Sequence, residues 1–146
     1  MISFSKGEYM TEAKSIEFEL LTPERSLLKE NTEFVVLPGQ RGELGVLPGH
    51  VTLLTALTFG EVRIQNNQQQ TKRFVVSGGF AEVGPHRVLV LADTAEAVLE
   101  IDMDRARKAR QRALDRLAEQ TEQWDQTRAK AALLRAEARL KVASRH

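Results

Sequence analysis

The composition of this chain changes abruptly after Ile101, and this change constrains the fold more than any other feature. From Asp102 to His146 the sequence contains no Gly and no Pro, whereas the part before it is divided into short segments by both. Ala, Arg, Leu, Glu and Gln, which are good helix formers, dominate the last part. We therefore expect two units, a strand-rich domain over residues 16–101 and a helical segment over residues 102–146.

The strand-rich part begins with a clear period-two pattern. Residues 16–20 (IEFEL) alternate apolar and polar side chains, which is typical of a half-buried strand. Further strand candidates are residues 34–37, 62–65, 73–76, 80–83 and 88–92. Turn-forming pairs separate them, namely Asn66-Asn67, Gly78-Gly79 and Gly84-Pro85. Many short strands divided by Gly and Pro predict a β-sandwich or a flattened barrel.

The helical part carries two apolar stripes at helical spacing, with a polar stretch over residues 121–127 between them. The first stripe is Ala106, Ala109, Ala113, Leu117 and Thr121, and the second is Ala129, Ala132, Leu133, Ala136, Leu140 and Ala143. Two helices with a short turn at 121–127 predict an antiparallel hairpin. Because a buried methyl group contributes only about 0.8 kcal/mol, we expect weak packing that a bound ligand can shift.

Several function classes lack the residues they need. There is no Cys, and none of His50, His86 and His146 lies at helical ligand spacing from another, so no metal site and no nucleophile–base pair is predicted. The glycines at 39, 42, 45 and 49 lack the lysine of a phosphate-binding loop, and we interpret them as turns and bulges. No apolar run approaches the ~20 residues that span a bilayer. Residues 1–15, polar and without a period, predict a flexible extension.

The charges of this nearly neutral chain are unevenly distributed. Acidic residues outnumber basic ones before Asp102, and basic residues outnumber acidic ones after it. A basic helical tail indicates an anionic ligand or partner. Nucleic acid is one candidate partner, although Trp124 is the one aromatic side chain that the tail offers for base stacking.

Arginine spacing in the helical part suggests where an anion would bind. Arg135 and Arg139 are four residues apart and share one helical face, where two guanidinium groups match phosphate oxygens. In an antiparallel hairpin, the end of the second helix returns beside the start of the first. This places Arg105 near Arg135 and Arg139. Asp102 either caps that helix or accepts hydrogen bonds from a nucleobase amine. The alternative is an ordinary solvated basic face.

Three sequence segments resemble one family, the epsilon subunits of bacterial F-type ATP synthases. Residues 42–50 (GELGVLPGH) are similar to its G-E-L-G-x-x-P-G-H signature, and residues 77–83 (SGGFAEV) to its S-G-G-F-x-E-V segment. Residues 88–96 (VLVLADTAE) look like the strand that closes the family's β-domain. The likeness extends from about Ile16 to Ser144 and follows the family's order.

The resemblance implies an α+β fold, an N-terminal β-sandwich of about ten short strands followed by a C-terminal antiparallel two-helix hairpin. It implies a non-catalytic rotor subunit on the cytoplasmic face of the bacterial plasma membrane, bound to the membrane only through its complex. The implied partners are the gamma subunit and the c-ring, and also the beta and alpha subunits when the hairpin extends to inhibit ATP hydrolysis. The residues proposed for rotor contact are Glu43, Leu44, Gly45, Pro48, Gly49 and His50.

Some members of that family bind ATP on the folded hairpin through an I/L-D-x-x-R-A motif. Residues 101–106 (IDMDRA) match it at every specified position. The family also uses an upstream glutamate and two arginines of the last helix, which correspond here to Glu96, Arg135 and Arg139. The resemblance thus implies ATP as a regulatory ligand, with no cofactor required, bound by Glu96, Asp102, Arg105, Ala106, Arg135 and Arg139.

Overall fold

The computed structural model describes residues 15–119 and 122–145, so the extension predicted at 1–15 lies outside the described residues apart from Ser15. Eight strands come first: β1 (Ile16–Leu21), β2 (Ser26–Thr32), β3 (Phe34–Gly39), β4 (Gly42–Val46), β5 (Leu53–Gln65), β6 (Thr71–Val83), β7 (Arg87–Ala92) and β8 (Ala95–Ala97). A 3₁₀ turn at Val98–Glu100 leads to α1 (Met103–Ala118) and α2 (Gln123–Ala143). The predicted α+β fold, a β-sandwich followed by two helices, is confirmed.

The strands form one continuous hydrogen-bonded sheet that folds over a shared core. Its order is β2-β1-β7-β6-β5-β3-β4, and β8 pairs with β6 beside this path. All described pairs are antiparallel except β1 with β7, which run parallel. The core joins alternate residues of β1, such as Phe18, to residues of β3, β5 and β6, such as Leu37, Ile64 and Val76.

The described residues contain fewer and longer strands than the predicted number of about ten short ones. The pair Gly78-Gly79, predicted as a turn, lies inside β6 with positive φ values of 109° and 125°. Pairing with β5 continues on both sides of it, since Leu57 is opposite Gly79 and Phe59 is opposite Ser77. The glycines bend the strand instead of ending it, because neighbouring strands supply hydrogen bonds that a local pattern does not reveal.

The two helices pack against each other along a seam of small side chains, as the stripes predict. The buried seam residues are Ala106, Ala113, Ala129 and Ala136. The connection between the helices is short, and Arg110 of α1 forms an ion pair with Glu137 of α2 at 3.5 Å. The two helices therefore run antiparallel. The turn is shorter than the predicted 121–127, because α2 already begins at Gln123. Glu122 and Gln123 are compatible with helix initiation, so the polar stretch continues beyond the turn into the first residues of α2.

The hairpin rests on the β-domain through the last turns of α2. Val142 and Ala138 of α2 pack with Val75 of β6 and with Val98 and Ile101 of the connection. Neighbouring residues in β6, Phe74 and Val76, point into the core, so Val75 faces outward and α2 covers the outer side of the sheet. This apolar contact is small, so the attachment of the hairpin to the β-domain also depends on the polar side chains around it.

Candidate functional site

Glu96 and Arg139 meet where α2 crosses the β-domain. Glu96 lies in the short strand β8, which pairs with the first half of β6. Arg139 lies in the last two turns of α2 and donates a hydrogen bond from Nε to the Glu96 carboxylate at 3.0 Å. Both side chains keep about a third of their surface in contact with solvent. Residue spacing alone could not pair these residues, which are far apart in the chain, whereas the family resemblance implies one site for both.

A small cavity lies beside this ion pair, between α2 and the sheet. It is lined by Glu96, Arg135 and Arg139 together with Phe59, Val75, Val76, Ser77, Thr94, Ala95 and Ala138. The Thr94 hydroxyl donates to Ser77 Oγ at 2.6 Å in its wall. Its volume of about 40 Å³ is close to that of one water molecule. A nucleotide needs several hundred Å³, so this space by itself does not hold one.

The other three residues predicted for ATP binding lie at the start of α1. Asp102 is the N-cap, and its Oδ1 accepts a hydrogen bond from the Arg105 backbone N–H at 3.0 Å. The Arg105 side chain is exposed, whereas Ala106 is buried in the helix seam. None of the three lines the cavity. The structure therefore joins Glu96, Arg135 and Arg139 at one site, and gives Asp102 the capping role that the sequence left open.

The segment predicted for rotor contact has two parts with different structures. Glu43, Leu44 and Gly45 belong to β4, where Glu43 forms an ion pair with Arg63 at 2.9 Å and Leu44 packs on the core. Pro48, Gly49 and His50 follow in a turn; the Gly49 N–H donates to the Pro85 carbonyl at 2.8 Å, with φ at 88°. The ring atom Nδ1 of His50 lies 2.7 Å from the Val51 carbonyl oxygen.

An exposed apolar surface, which the sequence reading missed, occupies the outer face of the sheet at the other ends of β5 and β6. Phe80 is opposite Leu91 on β7, and Leu54 lies on β5. These side chains are 57%, 50% and 72% exposed. Alternation along each strand puts their neighbours Ala81 and Val90 in the core. Only strand register shows that these apolar side chains share one exposed face, because a single apolar residue is common in any strand.

Two other types of site are absent from the part of the chain that the structure describes. Over residues 15–119 and 122–145, no group of three or more His, Asp or Glu side chains is arranged to hold a metal ion. In the same residues, no helix is both long and apolar enough to cross a membrane.

The molecule is thus a β-sandwich domain with a C-terminal helical hairpin resting on it. Residues 15–98 match the family described as ATP synthase, Delta/Epsilon chain, beta-sandwich domain. Residues 100–144 match the family described as ATP synthase, Delta/Epsilon chain, long alpha-helix domain. The chain belongs to the family of ATP synthase epsilon chains.

Individual relatives agree with this membership. The ATP synthase epsilon chain of Nitratidesulfovibrio vulgaris is 48% identical over 129 residues, which cover 88% of this chain and 96% of the relative. That of Syntrophobacter fumaroxidans is 50% identical over 134 residues, covering 91% and 98%. A chain of the Euglena gracilis mitochondrial ATP synthase matches with a TM-score of 0.81 at 24% identity, and the match covers 100% of this chain and 89% of that chain. This match shows a likeness of fold.

Proposed function

We propose that this chain is a central-stalk subunit of an F-type, proton-translocating ATP synthase without an active site of its own. Its β-domain links the gamma subunit to the c-ring, and its hairpin is a regulatory element that binds ATP when docked. Extended, the hairpin inhibits ATP hydrolysis by reaching the beta and alpha subunits. The complex holds the chain at the cytoplasmic face of the bacterial plasma membrane.

The assembly role is supported by family membership and by the surfaces of the β-domain. Leu54, Phe80 and Leu91 form an exposed apolar patch of the kind that marks a protein interface. Beside the predicted rotor-contact segment, Leu47 and Val51 are also exposed, by 61% and 75%. We assign the gamma and c-ring contacts to these two regions of the β-domain.

ATP binding is supported by the meeting of Arg135, Arg139 and Glu96 at one cavity, and this is the observation that carries the proposal. Two guanidinium groups of one helical face point toward a site bounded by the sheet, which suits the oxygens of a polyphosphate. Since the space beside the docked helix is smaller than a nucleotide needs, we expect ATP to draw Arg139 away from Glu96 as a phosphate ligand. Bound ATP then bridges α2 and the sheet, so that it stabilises the docked hairpin.

The regulatory role is supported by the weak attachment of the hairpin. Its helices meet through alanine side chains, and α2 touches the domain through a few apolar residues and ion pairs. A ligand that binds only the docked form at about 100 times its dissociation constant adds about 2.7 kcal/mol. Release of the hairpin would free a basic pair of helices for acidic surfaces of the catalytic head.

The test is ATP-dependent protection of the hairpin from limited proteolysis. Arg135 forms no ion pair with any residue that the structure describes. Arg135→Ala therefore leaves the docked contacts in place while removing a phosphate ligand. Because a hydrogen bond to a charged group contributes about 1.5–3 kcal/mol, we expect at least tenfold more ATP for half-maximal protection. Arg135→Ala combined with Arg139→Ala should abolish the ATP effect.

The matched control is Arg116→Ala with Arg128→Ala, which removes the same charge at the opposite end of the hairpin. In this control, ATP should protect the hairpin from proteolysis to the same extent as in the unmodified chain. If protection by ATP is the same in the Arg135/Arg139 variant and in the control, the assigned site is wrong.

A further inference from the structure

Glu61 is a buried carboxylate on the outer side of the sheet that the proposed function does not use. The residue is 8% exposed, and both carboxylate oxygens are inaccessible to solvent without a hydrogen-bond partner among the described residues. Its neighbours Val62 and Ile64 alternate with it and face the core, so the Glu61 side chain points away from the core. Burying an ionised carboxylate without hydrogen bonds is costly, and nearby opposite charge must offset the cost.

Three guanidinium groups surround this carboxylate. Arg73 is at 3.4 Å, Arg145 at 3.9 Å and Arg63 at 4.0 Å. Arg63 lies closer to Glu43, at 2.9 Å, so it is largely engaged elsewhere. Arg73 belongs to β6 and stays beside Glu61 whatever the hairpin does. Arg145, just beyond the end of α2, is the one of the three that belongs to the hairpin segment.

Glu61 lies at the margin of the surface that α2 covers. Its cross-strand neighbour on β6 is Val75, and Val75 packs under Val142 of α2. One turn before Val142 lies Ala138, which lines the cavity with Arg135 and Arg139. The end of α2 is therefore fixed at two polar points, Glu96–Arg139 and Glu61–Arg145, on either side of one small apolar contact.

We propose that Glu61 is a positioning residue for the nucleotide site, and that it acts through Arg145. The buried carboxylate holds the end of α2 against the sheet and thereby keeps Arg135 and Arg139 over the cavity. This inference rests on the proposed function for its nucleotide part, whereas the effect on docking stands by itself. When ATP takes Arg139 as a phosphate ligand, Glu61–Arg145 is the ion pair that keeps α2 docked.

The absence of cysteine in this chain permits a direct measurement of docking. Asn67→Cys in the β5–β6 turn and Lys130→Cys on α2 are both at exposed positions and carry a fluorescence energy-transfer pair. In the full-length labelled chain without ATP, Arg145→Glu should lower the ratio of docked to undocked molecules at least about fivefold, within the range of coupling between contacting charges. The concentration of ATP for half-maximal docking should rise by a similar factor. Arg145→Lys should restore both values.

Two comparisons separate positioning by Glu61 from a general effect of charge. Lys141→Glu makes the same charge change at an exposed site of α2 and should leave docking unchanged. In a Glu61→Gln background, Arg145→Glu should lose most of its effect, because no carboxylate remains to repel it. Equal docking in Arg145→Glu and Lys141→Glu overturns the inference, and so does an undiminished Arg145→Glu effect in the Glu61→Gln background. If Arg145→Glu undocks a chain whose docking ignores ATP, the role of Glu61 in docking holds, and the proposed ATP site fails together with the nucleotide part of the inference.

Discussion

At the scale of single residues, backbone geometry in β6 is decided by two glycines. Gly78 and Gly79 both have positive φ, and a Cβ atom added at Gly79 would clash with the Leu91 carbonyl oxygen and crowd Ala92 on β7. The bend they create separates the part of β6 that pairs with β8 from the part that pairs with β7. Glu96 lies in β8, opposite Val75 in the first of these two parts.

Gly79→Ala should therefore destabilise the β-domain. A left-handed conformation costs a residue with a Cβ about 1–2 kcal/mol, and overpacking adds about 1–3 kcal/mol, so we expect a loss of about 2–5 kcal/mol in the free energy of unfolding. Urea denaturation followed by circular dichroism measures it. Gly84→Ala is the control, because its added Cβ would meet only the Arg87 carbonyl oxygen at an ordinary 3.6 Å. Similar midpoints for both variants would contradict this account.

At the scale of elements, the hairpin is held by a seam that brings helices close without burying much area. Ala113 and Ala136 are almost fully buried, at 2% and 1% exposure. A larger side chain there has no space unless the helices separate. The hairpin therefore forms only when the two helices stay close together, and it opens as a unit.

Ala136→Leu should loosen the hairpin and leave the β-domain intact. Inserting the larger side chain into the packed seam costs about 1–3 kcal/mol, so amides of α1 and α2 should exchange hydrogen faster, by roughly 5- to 150-fold at 1.4 kcal/mol per tenfold change. Amides of β5 and β6 should keep their rates. Ala118→Leu, at an exposed position of α1, serves as control. Unchanged helix exchange in Ala136→Leu would show that the seam tolerates volume and does not govern opening.

At the scale of the whole molecule, the β-domain has a core of its own. The main buried cluster contains residues of the strands and none of α1 or α2. The hairpin adds a separate small cluster around Val75, Val98 and Val142. This division is what a stationary anchor with a movable regulatory segment requires.

Deletion of residues 102–146 should leave the β-domain folded and able to join the gamma subunit. The deletion exposes Val75 and Val98 but removes no residue of the main core, so cooperative unfolding and the strand-type circular dichroism spectrum should persist. Co-purification with gamma measures assembly. A truncated chain that unfolds, or that folds and does not bind gamma, would contradict the separation of anchor and regulatory segment.

The sequence by itself determined what depends on local pattern and composition. The change after Ile101 predicted strands followed by helices, and the alanine stripes predicted the seam. Arg135 and Arg139 were found because a spacing of four residues fixes their common face in any helix. The resemblance of residues 42–50, 77–83 and 88–96 to family segments pointed to the family that the comparisons support.

Tertiary structure decided what depends on contacts between distant parts of the chain. Only the paired strands reveal that Gly78-Gly79 bends β6 and that Phe80 and Leu91 share an exposed face. Only the docking of α2 on the sheet reveals that Glu61 of β5 is buried near the end of that helix. Burial and charge pairing are properties of a surface assembled from several elements. A sequence specifies which side chains are available for such a surface, whereas register and docking determine which of them meet, because the energies involved are summed over contacts that no local window contains.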